Sequence, residues 1–191
     1  MEAVLTSFKR FSDQLSRVDL DQIRPFLTRH EYQVGHQLLV PGQVCRQLFF
    51  LEQGLVRCYT FEEDRTLWYE FEGSFFTHYA SFSSQAPAKE GLTLLESSTV
   101  YAIRRQHLYQ LYEQSHAWAN WGRAFMEYWY LVIEDLYHSL LYKNASERYE
   151  ALLTLYPEIT QRVPLHHIAS FLGMSPVSLS RIRAGKQQRR S

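Results

Sequence analysis

The segment VPLHHIASFLGMSPVSLSRIR, residues 163–183, is the most informative part of this sequence about the C-terminal structure. Four apolar residues of its first half share one face of a helix: Leu165, Ile168, Ala169 and Leu172. Gly173 follows where this helix must end, because glycine tolerates a positive φ. Ser175 is placed to cap a second helix, and Pro176 is tolerated in its first turn. The stretch therefore predicts two helices joined by a short turn, the helix-turn-helix arrangement.

The second helix of this pair has one apolar face and one polar face. Val177 or Leu179, together with Ile182, is expected to pack against the first helix. Six residues are the candidate DNA contacts: Ser175, Pro176, Val177, Ser178, Arg181 and Arg183. Arginine forms paired hydrogen bonds with guanine or neutralises a phosphate, and valine contacts the methyl group of thymine. The alternative is an ordinary helical hairpin with its arginines in solvent.

The charges of the chain are unevenly distributed, although the formal net charge is zero. Residues 1–142 have a net charge of −5, and residues 143–191 have a net charge of +5, with no acidic residue after Glu158. A basic end on an acidic body is typical of a segment that contacts nucleic-acid phosphates. The alternative is a solvated basic tail, which accounts for the last few residues only.

The region in front of these helices is rich in short apolar runs separated by turn residues. We expect strands at 37–40, 47–51, 55–61 and 66–71, and two more within 92–103. The spacing predicts an antiparallel barrel or jelly roll, and any small β-sandwich is the alternative. Residues 2–16 predict an amphipathic helix, and Asp19 is expected to cap a second, short helix that ends near Leu27.

A long helix is predicted between the β-rich region and the C-terminal helices, starting after Ser115 and ending near Tyr142. It has too many apolar residues for one narrow stripe, so we expect one face to pack on the barrel and the other on a second copy of the chain. A single broad core helix is the alternative. Ser146 is expected to open the next helix.

The predicted architecture is α+β and has three parts. These are a sensor barrel with N-terminal helices (1–114), a connecting and dimerisation helix (115–143) and a helix-turn-helix domain (144–191). The N-terminus lacks the apolar centre of a signal peptide, and no window reaches the roughly 18 apolar residues of a membrane span, so we expect a cytoplasmic protein without membrane contact. Cys45 and Cys58 have no metal-site spacing and are expected to be buried thiols.

Two blocks of the sequence resemble the short-chain Crp/Fnr regulators. The C-terminal block is ASERYEALLTLYPEITQRVPLHHIASFLGMSPVSLSRIR (145–183), and the middle block is VPGQVCRQLFFLEQGLVRCYTFEEDRTLWYEFEGSFF (40–76). The resemblance covers residues 18–185. It implies a bacterial transcription regulator with a cyclic-nucleotide-binding-like barrel, a dimer helix and a C-terminal helix-turn-helix. It also implies double-stranded DNA, a second copy of the chain and RNA polymerase as partners.

The resemblance also locates an effector pocket, at Gly73, Thr77, His78, Ala88 and Lys89. Cyclic-nucleotide binders of the family have a Gly-Glu pair for the ribose and an arginine for the phosphate. Here the pair falls on Thr77 and His78, and the arginine falls on Ala88 or Lys89. Histidine is no carboxylate, and lysine lacks the planar fork of arginine. We therefore expect no cyclic nucleotide and no cofactor, and an effector, if there is one, of another kind.

Two other classes of function compete with a DNA-binding regulator. A cupin-like metalloenzyme requires a close pair of histidines and a carboxylate on barrel strands, and His30, His36 and His78 are scattered along the chain. No nucleophile motif or phosphate-binding loop occurs, so the sequence predicts neither an enzyme nor a metal site. A small-molecule-binding barrel with a vestigial helix-turn-helix is the other alternative.

Overall fold

A computed structural model describes residues 1–188, and within them two four-stranded antiparallel sheets form the jelly-roll barrel that the sequence predicts. One sheet has the strand order β1-β8-β3-β6, and the other has the order β2-β7-β4-β5. The strands are β1 (Thr28–Tyr32), β2 (Gln37–Leu39), β3 (Gln47–Gln53), β4 (Leu55–Thr60), β5 (Thr66–Phe71), β6 (Phe75–Phe76), β7 (Glu90–Leu94) and β8 (Ser98–Arg104).

Strands β3 and β8 form the middle of the first sheet, and both are buried along most of their length. Such continuous burial arises because the barrel interior covers one face of this sheet and helices cover the other. This is why β3 is an almost unbroken apolar run rather than an alternating one. The burial of Cys45 and Cys58 as free thiols confirms the prediction for both residues.

The strands that the sequence does not predict are β1 and β6. Strand β1 (TRHEY) is almost entirely exposed at the edge of its sheet, so it lacks the apolar alternation that marks a strand. Strand β6 has only two residues, and both are hydrogen-bonded to the middle of β3. Tertiary pairing, rather than local pattern, defines both strands.

The N-terminal helices differ from the prediction in length and in capping. Helix α1 covers Glu2–Lys9 and so ends well before residue 16. Helix α2 covers Arg17–Ile23, and a 3₁₀ turn follows it at Arg24–Phe26. The cap of α2 is Ser16 and not Asp19, because the Ser16 side chain accepts the Asp19 N–H while the Asp19 carboxylate accepts the Ser16 N–H at 2.9 Å. The two residues form a capping box.

The remaining helices of the barrel region are α3 (Tyr79–Ser84), α4 (Arg105–Gln114) and the long α5 (His116–Tyr142). Ser115 caps α5, as predicted, by accepting the Trp118 N–H. The first half of α5 packs on the barrel through Trp118, Trp121 and Phe125, which are buried. The Trp121 indole also donates to the carbonyl of Phe8 at 2.9 Å, so α1 and α5 are joined over the same core.

Four helices follow α5: α6 (Ala145–Leu155), α7 (Ile159–Arg162), α8 (Leu165–Phe171) and α9 (Pro176–Gln188). Asn144 caps α6, and Ser146 does not, because the Asn144 carboxamide oxygen accepts the N–H groups of Ser146 and Glu147. The four helices share a second apolar core, which also includes Leu55 and Tyr69 of the barrel. The C-terminal helices therefore pack against the outer face of the β4–β5 hairpin. Within residues 1–188, no helix has the length and apolar character that a membrane crossing requires.

Candidate nucleic-acid interface and effector pocket

Helices α8 and α9 form the predicted helix-turn-helix. Gly173 has a φ of +66°, and the N–H of Met174 donates to the carbonyl of Ala169 at 3.0 Å, which closes the C-terminal end of α8. Ser175 then caps α9, because its hydroxyl oxygen accepts the Ser178 N–H at 3.1 Å. The buried residues between the two helices are Ile168, Ala169, Leu172 and Leu179.

The orientation of α9 decides which side chains are available to DNA. Leu179 is fully buried and Val177 is 61% exposed, so Leu179 is the residue that packs against α8 and Val177 faces solvent. Ser175, Pro176, Ser178 and Arg181 are also exposed, whereas Arg183 is half-buried at the edge of this face. The candidate contacts other than Arg183 therefore share one open surface.

Ser180 is an exposed residue of α9 that the sequence analysis missed. It follows Val177 by three positions and precedes Arg181, so it lies on the same side of the helix as both. Once Leu179 is known to be the buried residue, helical spacing from Val177 indicates that Ser180 is exposed. The hydroxyl of Ser178, by contrast, already pairs with that of Ser175 at 2.9 Å.

Basic charge near α9 comes from few described residues. Arg162 is held by the carboxylates of Glu72 and Glu96, so it does not add to the open surface. Among the α9 side chains that the structure describes, Arg181 and Arg183 are basic, and neither forms an ion pair with another described residue. The basic residues Arg189 and Arg190 lie outside the described residues.

The second half of α5 has an apolar face that no other described part of the chain covers. Exposed residues recur at alternating spacings of three and four along it: Tyr130, Ile133, Tyr137 and Leu140. This is the spacing of a coiled-coil seam. The first half of the same helix is buried on the barrel, so α5 has one apolar face in its first half and another in its second half. These two faces explain why α5 has more apolar residues than one face requires.

The structure brings Thr77 and His78 together with Glu90, a residue that the sequence analysis did not select. The His78 Nε2 atom lies 2.7 Å from the Glu90 carboxylate, and the His78 Nδ1 atom accepts the Ser81 N–H at the start of α3. Nε2 is therefore the nitrogen that donates, and Glu90 accepts. The Thr77 hydroxyl donates to the carbonyl of Gln47 at 2.9 Å. The side chains of Thr77 and His78 are thus both hydrogen-bonded within the chain.

The other predicted pocket residues form no ion pair with Glu90 in the described part of the chain. Ala88 is buried in the core, and Lys89 is exposed. Gly73 lies in the turn between β5 and β6, where its carbonyl accepts a hydrogen bond from Arg10 at 2.9 Å. The anionic group beside His78 is the Glu90 carboxylate. A bound phosphate would be repelled by this carboxylate, because like charges in a partly buried site are weakly screened.

The described residues contain no group of three or more histidine, cysteine or carboxylate side chains placed to hold a metal ion. The two adjacent histidines of α8 contact each other through their rings, and one of them, His167, lies 4.0 Å from the Asp64 carboxylate. Burial lowers the pKa of His167 to about 4. Its ring is therefore neutral at neutral pH.

The model of the cyclic nucleotide-binding domain family matches residues 29–115. Among solved structures, a Eubacterium rectale protein described as a Crp/Fnr-family transcriptional regulator superposes with a TM-score of 0.73 at 17% identity, over 95% of this chain and 88% of that one. FixK2 from Bradyrhizobium japonicum has a TM-score of 0.70 at 17% identity, with 85% of each chain covered.

A third similar structure is that of CLP, the c-di-GMP-responsive regulator of Xanthomonas campestris. It has a TM-score of 0.66 at 17% identity and covers 89% of this chain and 91% of that one. No curated protein matches the sequence significantly.

The matches to solved structures show that the fold agrees with the resemblance seen in the sequence. Residues 29–115 thus match the cyclic nucleotide-binding domain family, and the chain has the fold of the solved Crp/Fnr-type regulators.

Proposed function

We propose that this protein is a transcription regulator that binds double-stranded DNA through α9. The observation that supports this most directly is the open face of α9, on which Val177, Ser180 and Arg181 are exposed while Leu179 holds the helix on α8. A helix in this position of a helix-turn-helix enters the major groove with its N-terminal residues toward the bases. The family matches are to regulators rather than to enzymes, which agrees with a non-enzymatic role.

The proposed working form is a homodimer. The seam of Tyr130, Ile133, Tyr137 and Leu140 on α5 is the surface on which two copies pair. A symmetric dimer places two recognition helices about 34 Å apart, one turn of DNA, so the operator has two half-sites related by symmetry. The proposed parts are the barrel with its N-terminal helices (1–114), the α5 segment (115–143) and the DNA-binding part (144–191), and RNA polymerase is the proposed downstream partner.

The barrel is the proposed sensor, with an effector other than a cyclic nucleotide. The argument is the His78–Glu90 pair, which satisfies the polar groups of the loop internally and leaves a carboxylate where a phosphate would need a cation. A signal in the barrel reaches DNA by shifting the balance between arrangements of α5 and the C-terminal helices.

Replacing Arg181 by alanine tests the DNA-binding role. The operator is first obtained by sequencing genomic fragments that the purified protein retains. Fluorescence anisotropy then compares the operator with a scrambled duplex at fixed salt. We expect Arg181→Ala to lower operator affinity by about 1–3 kcal/mol, with a much smaller effect on the scrambled duplex, because a base contact is lost.

Arg183→Ala is the matched control, since it removes the same charge from the half-buried edge of α9. Arg183→Ala is expected to lower the affinities for the operator and the scrambled duplex by similar factors. These factors should be smaller than the effect of Arg181→Ala on the operator. If the native protein bound both duplexes equally and only at low salt, the helix-turn-helix would be vestigial, because such binding reflects phosphate contacts alone.

A further inference from the structure

A cavity of about 560 Å³ opens beside the start of α4, and neither His78 nor Glu90 is among the residues that line it. It lies between β2, the first residues of β3, the end of α3 and the first turn of α4. Its lining contains three arginines and no acidic residue; the lining residues that matter here are Arg46, Arg104, Arg105, Gln43, Gln47 and Val44. The volume is within the range of small-molecule sites.

The fold brings the three arginines together from the loop before β3, the last residue of β8 and the first residue of α4. Gln47 and Arg104 are paired across β3 and β8, so Arg46 and Arg105 are the next residues beyond that pair. The backbone N–H of Arg105 donates to the carbonyl of Arg46 at 2.8 Å, which joins the two segments at the cavity. The backbone positions of the three arginines therefore follow from the β3–β8 register and from this hydrogen bond.

The guanidinium group of Arg105 is held in one orientation. Its Nε atom donates to the carbonyl of Phe82 at 2.8 Å, and the group stacks on the ring of Tyr109 at 3.8 Å from the ring centre. These contacts use neutral acceptors, so they orient the charge without neutralising it. A pre-oriented cation of this kind loses little entropy when it binds an anion.

None of the three arginines has a carboxylate partner among residues 1–188. Arg29, Arg57 and Arg162, in contrast, each pair with an acid. Three like charges around one cavity repel one another, and a bound anion relieves this repulsion. The first turn of α4 adds to the same field, because it has no side-chain cap and no acidic residue.

We propose that this cavity binds a small phosphorylated molecule. Arginine binds phosphate through paired hydrogen bonds, and three positive charges favour a group with several negative charges over a single carboxylate. The amide groups of Gln43 and Gln47 and the side chain of Val44 are available to the rest of the ligand. The site uses only the barrel and α4, so it goes beyond the proposed DNA binding and does not depend on it.

Isothermal titration calorimetry of the full chain with inorganic pyrophosphate tests the site in the absence of DNA. We expect one site per chain at physiological ionic strength. The double variant Arg46→Gln and Arg104→Gln should weaken binding at least about tenfold, because each lost charged hydrogen bond contributes measurably to affinity. Both side chains are exposed, so the variant is expected to fold, and its melting temperature checks this.

The matched control is the double variant Arg17→Gln and Arg65→Gln, which removes the same charge from exposed positions outside the cavity. It should bind pyrophosphate as the native chain does. Absence of binding, or equal weakening in both double variants, would overturn the proposal. Citrate has comparable charge but no phosphoryl group, and binding as tight as that of pyrophosphate would overturn the assignment of the ligand class. Each result is independent of whether operator DNA is bound.

Discussion

Glu70 is a carboxyl group inside the barrel, opposite Val56 on the neighbouring strand. Burial raises its pKa to about 8, against an ordinary value of 4.5, and a hydrogen bond with Ser74 offsets only part of this. The folded chain therefore keeps the proton over a range in which the unfolded chain releases it. Between pH 4.5 and 8, the free energy of unfolding falls as pH rises, by at most about 1.4 kcal/mol per pH unit.

Glu70→Gln is expected to abolish this pH dependence, because glutamine is a neutral side chain of similar shape. The melting temperature of the variant should exceed that of the native chain at pH 8, and the difference should shrink as pH is lowered toward 5. Thermal unfolding followed by circular dichroism measures this. Glu62→Gln, an exposed turn residue, should leave the pH profile unchanged. If the difference in melting temperature between Glu70→Gln and the native chain did not change with pH, the proposed titration of Glu70 would be contradicted.

At the scale of the element, the turn between α8 and α9 depends on the backbone of Gly173. Its φ is +66°, and no atom lies within 4 Å of the position that a β-carbon would occupy. Gly173→Ala is therefore strained by its backbone alone, and we expect it to lower the free energy of unfolding by about 1–2 kcal/mol. Chemical denaturation followed by circular dichroism measures the loss.

Gly185→Ala is the control for this substitution, because Gly185 lies within α9, has no positive φ and also faces open space. Alanine should stabilise the helix there by about 0.5–1 kcal/mol. The two substitutions are chemically identical, so their opposite signs would isolate the conformation of the turn. A neutral Gly173→Ala would show that the turn adopts another conformation.

The seam on α5 makes a prediction about assembly. Ile133→Asp combined with Leu140→Asp places two charges on it, and we expect a monomer at micromolar concentration in sedimentation equilibrium, because buried, unpaired charges are strongly unfavourable in an interface. Leu131→Asp introduces one such charge at an exposed position away from the seam and should leave the dimer intact. A native chain that is monomeric, alone and on DNA, would contradict the proposed dimer.

At the scale of the whole molecule, Arg162 joins the C-terminal helices to the barrel. Its guanidinium donates to Glu96 at 2.7 Å, to Glu72 at 2.6 Å and to the carbonyl of Gly54 at 3.1 Å. Two further contacts lie on the same face: the stacked rings of Phe71 and Tyr156, and the bond from the Thr66 N–H to the Ser170 hydroxyl. The three residues that accept hydrogen bonds from Arg162 lie in the β3–β4, β5–β6 and β7–β8 turns. The Arg162 side chain therefore contacts three turns of the barrel at once.

Arg162→Met keeps the apolar stem and removes these hydrogen bonds. We expect the free energy of unfolding to fall by about 1–2 kcal/mol. The loss is limited because Glu72 and Glu96 are partly exposed and solvent screens their ion pairs with Arg162. The loss should be local. Hydrogen exchange of backbone amides in α8 should accelerate, while β3 and β8 keep their protection. In a background where Glu72 and Glu96 are already glutamine, the same substitution should have a much smaller effect, and an undiminished effect would mean that Arg162 acts through packing.

The features that depend on local chemistry could be predicted from the order of the residues alone. The helix-turn-helix follows from Gly173, Ser175 and the apolar spacing around them, because turn conformation, capping and helical periodicity are properties of neighbouring residues. Strand β5 was predicted with its observed bounds, and Ser115 as the cap of α5, for the same reason. The DNA-contact and effector residues remain predictions.

The features that depend on residues distant in sequence became visible in the folded chain. Strand β1 and strand β6 exist because they pair with β8 and β3, and the burial of Leu179 rather than Val177 depends on where α8 lies. The His78–Glu90 pair and the cavity of three arginines were not predicted, since strand register brings their members together. Periodicity indicates which side of an element is buried, but the positions of charged groups relative to one another are set by sheet register and packing.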